Sequence, residues 1–584
     1  MSTTAISAED AFEIAVRATF ETFANCYLRE IDRGRDFSQA DKNGIEWQLT
    51  GEGGALRAEI EVRSRCGPHR FGMLWHRWAD ATRPRWTATE PLDAVARLLR
   101  EAYCRVGNGS PAARAREVEL YLRVLLSCQA IAANVAGTAG RPARMDFIAA
   151  EQSIVFGHSF HPTPKSMQGV TEWQRGVYGP ESGGAFQLVG FAARAEIVEE
   201  RTAGRCPATR CMERIARPDL APGERLILMH PLQAQALMLD GEVEALMTDG
   251  ALRPLGAIGP EFKATSSMRT VYCEDAPFML KFSLPVRITN SIRRSRRNEL
   301  YAGVAIARYF RRTRVLDGFP AFSILLDTAF ATVTLPGRAE SGFETILRQN
   351  PFRGPRAAGA ITVAALTGEP LPGEASLLAR LVALSPGDAR SWFAAYLDVA
   401  FVPLVLLYDA TGIALEAHQQ NALVKLEGGR PTASFYRDNQ GYYLADTYRH
   451  RLLEVIPEAD EIDDLFFDEA EINDRFAYYL VVNHIFAVIA RLGRDGLADE
   501  GALIALLRAR IERLAIETEA AGRRFCRRLL DEPTITMKGN LAARLFDIDE
   551  LGGGDGWPLY ARGPNVLFDA PLGGTQADRH ALTL

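Results

Sequence analysis

Polar residues crowd into several segments of this chain where a plain hydrophobic core would not tolerate them. In GHSFHPTPKSMQG (157–169), His158, His161 and Lys165 lie close together between bounding glycines, on a stretch stiffened by two prolines. Such a loop could clamp an anion. A surface loop with incidental charges is the competing reading, and no third ligand follows at metal-like spacing. In TSSMRTVYCEDAPFMLK (265–281), Ser267, Arg269 and Thr270 precede a turn whose return strand carries Lys281. Hydroxyls, backbone N–H groups and a strand lysine supply the donors and positive charge that a triphosphate needs. An ordinary turn and strand accounts for them equally well, and without GxxxxGK[ST] this is not a P-loop. In KFSLPVRITNSIRRSRR (281–297), a helix starting near Thr289 would stack Thr289, Arg293 and Arg297 at i, i+4 and i+8. A guanidinium grips carboxylate or phosphate bidentately, which an ammonium cannot. A solvated basic face is the alternative. Nucleic-acid contact is disfavoured by the net charge of −6 and the lack of interleaved aromatics.

The fourth segment is EAHQQN (416–421), followed after a further strand-length stretch by Asp438 in YRDNQG. Glu416, His418 and Gln420 alternate, so an extended segment would point all three the same way. His418 and Asn421 with Asp438 resemble the catalytic loop and metal aspartate of kinase-like phosphotransferases. Those enzymes place an Asp shortly after the His as base for an acceptor hydroxyl, whereas Gln419 and Gln420 occupy that slot here. A carboxylate is already ionised near neutral pH and needs no base to attack a phosphate. The pattern favours adenylation over hydroxyl phosphorylation, with Glu416 still open as a base.

The elements that must position these residues follow from periodicity. Leu56, Ala58, Ile60 and Val62 alternate with charged residues as a half-buried strand, and Cys66-Gly67-Pro68-His69 turns into a second one. Pro91 opens a helix with Leu92, Val95, Leu98, Leu99, Ala102 and Val106 on one face, and another helix covers Arg114 to Val135. Val271–Cys273 and Phe278–Leu284 read as a hairpin around Glu274-Asp275-Ala276-Pro277, followed by a helix from Thr289 to Phe310. Leu366 to Gly373 reads as a loop. The remainder reads as mainly helical, including Arg475–Leu492 and Gly501–Leu529, with an irregular tail from Leu551.

The 584 residues, 47% hydrophobic and 24% charged, are ordinary globular usage and enough for several lobes. The eight cysteines contain no CxxC pair, which points to free thiols in a reducing compartment. The N-terminus lacks a secretory signal. No uninterrupted apolar run approaches the roughly 18 residues of a membrane helix. The longest candidate, Ala400–Tyr408, follows Asp398. A cytoplasmic protein without membrane or nucleic-acid partners is expected.

Taken in order, GHSFHPTPKSMQG, MHPLQ, TSSMRT, KFSLPVRITNSIR, RQNP, EAHQQN, YRDNQG and TMKGNLAARL resemble the IucA/IucC-type NRPS-independent siderophore synthetases over about Phe147 to Leu545. Each motif is weak alone; the ordered set is specific. Two departures stand out. Ser166-Met167-Gln168 follow the HPTPK lysine where an Arg is common, and Leu232 stands where Trp is frequent.

The resemblance implies an α+β, fist-like, three-lobed homodimer with a largely helical C-terminal lobe: a thumb-like domain at 1–140, a fingers-like domain at 141–345 and a palm-like domain at 346–584. It implies that ATP and Mg²⁺ activate a carboxylate of citrate, a citryl monoamide or α-ketoglutarate, and that an amine or hydroxyl then displaces AMP. Ser267, Arg269, Thr270, Lys281, Glu416, Gln420, Asn421 and Asp438 would contact ATP, with Asp438 and Glu416 on the metal. His158, His161, Lys165, Thr289, Arg293 and His418 would hold the substrate carboxylates. Arg293, His418 and Lys281 would carry the catalysis, and His418 is the candidate base for the condensation.

Overall fold

The computed structural model describes residues 6–39, 42–51, 53–78, 85–106, 110–138, 145–438, 440–548 and 560–568. The expected 140/141 boundary and most of the tail read from Leu551 lie outside them. Helices and sheets mix throughout, so the class is α+β.

At the N-terminal end a five-stranded antiparallel meander (Arg35–Gln39, Lys42–Leu49, Gly54–Val62, Arg70–Trp78, Thr87–Ala88) packs on three helices, Ala8–Glu30, Pro91–Val106 and Pro111–Thr138. The alternation read at 56–62 buries Leu56 and Ala58 against Trp47, Leu98 and Leu99, and Pro91 stands at the first position of its helix as expected. A second core fills an eight-stranded antiparallel sheet ordered Val198–Thr202, Asp327–Val333, Thr345–Gln349, Phe278–Phe282, Thr270–Tyr272, Leu252–Ala264, Phe186–Arg194, Glu224–Met229. The predicted hairpin sits at its centre, with Thr270 paired across from Lys281. His230 of MHPLQ caps the helix Pro231–Met238 through Nδ1, which accepts the Leu232 N–H at 3.2 Å.

The C-terminal third is not helix alone. A four-stranded sheet (Phe322–Leu325, Arg430–Arg437, Ala422–Glu427, Ala360–Thr362) is covered by the largest core, and its strand ends carry the EAHQQN and YRDNQG segments. The helix read over 501–529 is two, Glu500–Glu517 and Ala521–Asp531; the Asp409 carboxylate accepts the Ala520 and Gly522 N–H groups at the break. The run read from Arg475 to Leu492 begins earlier, at Glu469, and widens into a π-helical stretch at Ala477–Ile485. Part of the tail is regular: Tyr560–Pro564 pairs antiparallel with Thr534–Lys538.

One expectation fails outright. Residues 289–296 are not helical. Arg287–Ile288 and Ser291–Ile292 form a tight hairpin that pairs with Met167–Gln168, and the helix starts only at Arg297. Thr289 takes φ = 55° in the two-residue turn. The periodic basic run fits a helix as a pattern, but such a helix would put guanidiniums together on one face. The hairpin instead sends Arg293 to the site and Arg297 outward to Glu199.

Three helical runs, Pro111–Thr138, Ala389–Thr411 and Glu469–Arg494, are long and apolar enough by composition to cross a membrane, contrary to the reading from uninterrupted runs. They escaped it because a helix of this hydropathy tolerates one or two charges. The apolar stretch of the last is 89% buried inside the protein and that of the second 72%.

Candidate functional site

The hairpin, the Thr289 turn, the 157–169 loop and the four-stranded sheet converge on two adjoining cavities of about 140 and 300 Å³. The smaller holds Ser267, Arg269, Thr270, Lys281, Glu416, Gln420, Asn421 and Asp438, which is the whole set proposed for ATP. The larger holds His158, His161, Lys165 and Thr289. Arg293 and His418 line both.

The smaller cavity is cationic and rigid. Lys281 Nζ donates to Asp438 Oδ1 at 2.9 Å, and Arg348 lies 3.7 Å from the same oxygen while gripping Asp327 bidentately at 2.6 and 2.9 Å. Burial alone would raise Asp438, but Lys281 and Arg348 hold it well below the usual carboxylate range. Burial pushes Lys281 down to about 8, with Asp438 pulling the other way. Thr270 Oγ1 is buried with no hydrogen-bond partner among the described residues and faces this cavity. Below the floor, fully buried Glu151 accepts from Ser266 and from Arg437 Nη2 at 2.9 Å, which fixes the turn before Ser267.

The EAHQQN segment is a compact turn, not the extended run expected. The Asn421 and Ala422 N–H groups both return to the His418 carbonyl, and His418 Nδ1 accepts from Gln420 N (3.2 Å) and Asn421 N (3.3 Å). These local bonds win over strand formation. Glu416, His418 and Gln420 nevertheless share one cavity. Burial pushes His418 down to about 4, so the ring is neutral. With Nδ1 accepting, its proton sits on Nε2, which lies 3.7 Å from Glu416 Oε1. His418 therefore offers a donor and no free lone pair, which removes it as the base for condensation. Glu416 is raised by burial, and further by Asp438, to about 7.

In the larger cavity, Arg293 Nη2 donates to the Ile288 carbonyl at 3.1 Å and approaches Thr289 Oγ1 at 3.3 Å, so the turn aims the guanidinium. A β-branched residue at positive φ is strained backbone at the site itself. His161 Nδ1 accepts from Thr163 N, and Nε2 lies 3.0 Å from Asn290 Oδ1. Lys165 lines the cavity with its ammonium paired to Glu181. Sequence reasoning passed over Glu181, Tyr478, Tyr479, Asn483 and Asn540, and it quoted Lys538 in TMKGN without assigning it a place in the site. Only the tertiary fold brings these residues here. Asp438, Glu416 and the Asn421 amide suit a magnesium ion, which takes one or two carboxylates alongside substrate phosphates.

Five histidines give a pH test. His158 and His230 are pushed by desolvation to about 3, His69, His418 and His484 to about 4. Each pKa lies below its unfolded value, so each contributes stability that is present above about pH 6.5 and lost as pH falls toward 3–4. Burial raises Glu30 to about 8 and Glu416 to about 7; their contribution is fully present below about pH 4.5 and lost as pH rises through those values. The two sets oppose each other between about pH 4.5 and 7; below that range the raised-carboxylate terms are complete, the histidine loss continues, and loss of the depressed Asp438 carboxylate joins it. The melting temperature should fall most steeply below pH 4.5, by the equivalent of several kcal/mol by about pH 3.5. A melting temperature that stays flat from pH 6 to 3.5 would contradict this account.

Comparison with known proteins gives a consistent picture. A family model described as "IucA / IucC family" matches residues 146–368, and one described as "Ferric iron reductase FhuF-like transporter" matches 390–553. The chain is 34% identical to a Bacillus anthracis protein named spermidine-citrate ligase, covering 95% of this chain and 98% of that one. It is 32% identical to the rhizobactin siderophore biosynthesis protein RhbC of Rhizobium meliloti (strain 1021), with the same coverage. Among solved structures, ATP-bound aerobactin synthetase IucA from Klebsiella pneumoniae superposes with a TM-score of 0.86 at 25% identity, over 95% of this chain and all of that one.

Proposed function

The chain belongs to the IucA / IucC family, and on that premise we propose that it is an ATP-dependent synthetase that adenylates a carboxylate of citrate and condenses it with a primary amine. The observation that carries the reading is the meeting of the two cavities at Arg293 and His418. One cavity suits a triphosphate, the other a polycarboxylate, and between them stand a fixed cation and a neutral N–H donor.

In this mechanism the triphosphate lies against Ser267, Arg269, Thr270 and Lys281. Asp438, Glu416 and Asn421 would hold magnesium, which neutralises phosphate charge when bound. Arg293 and His418 Nε2–H hold the citrate carboxylate in line with the α-phosphorus, with Thr289, His158, His161 and Lys165 around the rest of the acid. A carboxylate oxygen attacks, the bond to the β,γ-diphosphate breaks, and pyrophosphate leaves. The amine then attacks the acyl carbon, AMP departs with the bonding pair, and the amine loses a proton. Positioning and electrostatic complementarity do most of the work. The amine assignment rests on similarity to a protein named spermidine-citrate ligase. A homodimer in the cytoplasm belongs to the same reading.

Turnover of ATP with citrate and a panel of diamines should yield AMP and pyrophosphate. ADP and a phosphorylated acceptor instead would favour a kinase-like phosphotransfer, and the absence of any acceptor-dependent turnover would remove the ligase.

A further inference from the structure

Beneath the EAHQQN loop runs the π-helical segment Ala477–Ile485, nine residues that are all buried. π-Helical turns are rare and are found mostly at functional sites. Here the reason is geometric. Bonding from i to i+5 brings residues five apart onto one face, whereas at about 3.6 residues per turn they would diverge by roughly 140°. Tyr478 and Asn483, and Tyr479 and His484, are related in this way, and Tyr479, Asn483 and His484 meet the loop residue by residue. The Tyr479 ring lies 5.8 Å from the His418 ring. His484 Nδ1 donates to the Ala417 carbonyl at 2.9 Å, while Nε2 lies 2.5 Å from the buried Tyr396 hydroxyl. Gln419 N–H donates to Asn483 Oδ1 at 3.1 Å, and Gln419 Nε2 to the Asn483 carbonyl at 2.7 Å.

Asn483 reaches further than its neighbours. Its Nδ2 lies 2.7 Å from His158 Nε2, on the 157–169 loop that also lines the larger cavity. One amide thus touches the turn that presents His418 and the loop that presents His158. Nucleotide-side anchors of the same turn are independent of it: Arg437 donates to the Gln420 carbonyl at 2.8 Å, and Asn421 Nδ2 donates to the Glu416 carbonyl at 3.2 Å.

We infer that Asn483, presented by the π-helical turn, is a positioning residue that locks the His418 turn to the His158 loop and so sets the geometry of the acid-binding half of the site. The inference rests on the proposed ligase reading for its kinetic consequence, but not for its structural one. The test compares wild type, Asn483→Ala, His158→Ala and the double variant, each purified as the full chain. Hydrogen exchange at the 416–421 amides reads the positioning with no substrate present, and exchange at Gln419 should rise at least tenfold in Asn483→Ala. Citrate-dependent pyrophosphate release should lose about 100-fold in kcat/KM for citrate. ATP affinity should stay within twofold and the melting temperature within a few degrees. The double variant should be little worse than either single one. Asn483→Asp, which keeps the acceptor for Gln419 N–H and loses the amide facing His158, should fall between. Unchanged exchange and kinetics would overturn the inference, as would ATP and citrate affinity falling together with the melting temperature. A wild type inactive on citrate whose Gln419 amide is still deprotected by Asn483→Ala would refute the ligase reading and leave the positioning role standing.

Discussion

Arg293→Ala should abolish citrate-dependent pyrophosphate release, by about 10³-fold or more, while leaving the fold intact. The guanidinium lies where the two cavities join, and its Nη2 donates to its own turn, at Ile288 and Thr289. Its main chain stays anchored after truncation, because Leu284 N–H donates to the Arg293 carbonyl at 2.7 Å and Arg293 N–H to the Val286 carbonyl at 3.0 Å. What disappears is the cation between two polyanions at the moment negative charge passes from carboxylate to phosphorus. Lysine at this position should recover little, because a point charge does not reproduce the planar fork. The check is pyrophosphate release beside a thermal melt. A variant that melts like wild type and still releases pyrophosphate on adding citrate would take Arg293 out of the mechanism.

Asp438→Asn should damage both stability and activity. The carboxylate faces Lys281 in a buried cluster, and an amide of the same shape removes the charge opposite that ammonium, while Arg348 keeps its bidentate pair with Asp327. Breaking one partner out of a buried charge network costs about 3–5 kcal/mol. Lys281, already lowered to about 8, would lose its proton more readily and with it its hold on phosphate. Magnesium-dependent ATP affinity should fall at least about 100-fold, since a ligand and a positioned lysine go together. Adding Lys281→Met to Asp438→Asn should restore part of the lost melting temperature but none of the activity. A single variant as stable as wild type would mean that the cluster carries no net charge penalty.

The two cavities test how far residue types and spacing could be trusted. The hairpin that sets Thr270 opposite Lys281 was legible because Pro277 and the flanking alternation leave few other folds. The ATP-side residues could be gathered because most lie in short ordered motifs whose local backbone sets their direction. The Thr289 turn was not legible: spacing of three to four among basic residues is the same signal whether a helix forms or a β-hairpin diverts it. The compact EAHQQN turn was hidden because period-2 alternation cannot reveal a ring nitrogen that captures two backbone N–H groups. Glu181 and Asn483 were missed for a tertiary reason. Their partners Lys165 and Gln419 lie on other elements, and a π-helical widening leaves no mark in a hydrophobic pattern.

The pairing of Tyr560–Pro564 with Thr534–Lys538 bears on how the protein is made. Lys538 lines the larger cavity, and its strand is completed only by that late partner, whose Tyr560 hydroxyl meets Tyr479 at 3.1 Å. The ribosome delivers this strand after every residue that lines the cavity has emerged. A growing chain can therefore fold its early sheets and helices in sequence while the strand of Lys538 still lacks this partner. Chains clipped near residue 560 should keep the early sheets and helices but leave the strand of Lys538, a residue of the larger cavity, without Tyr560–Pro564 beside it.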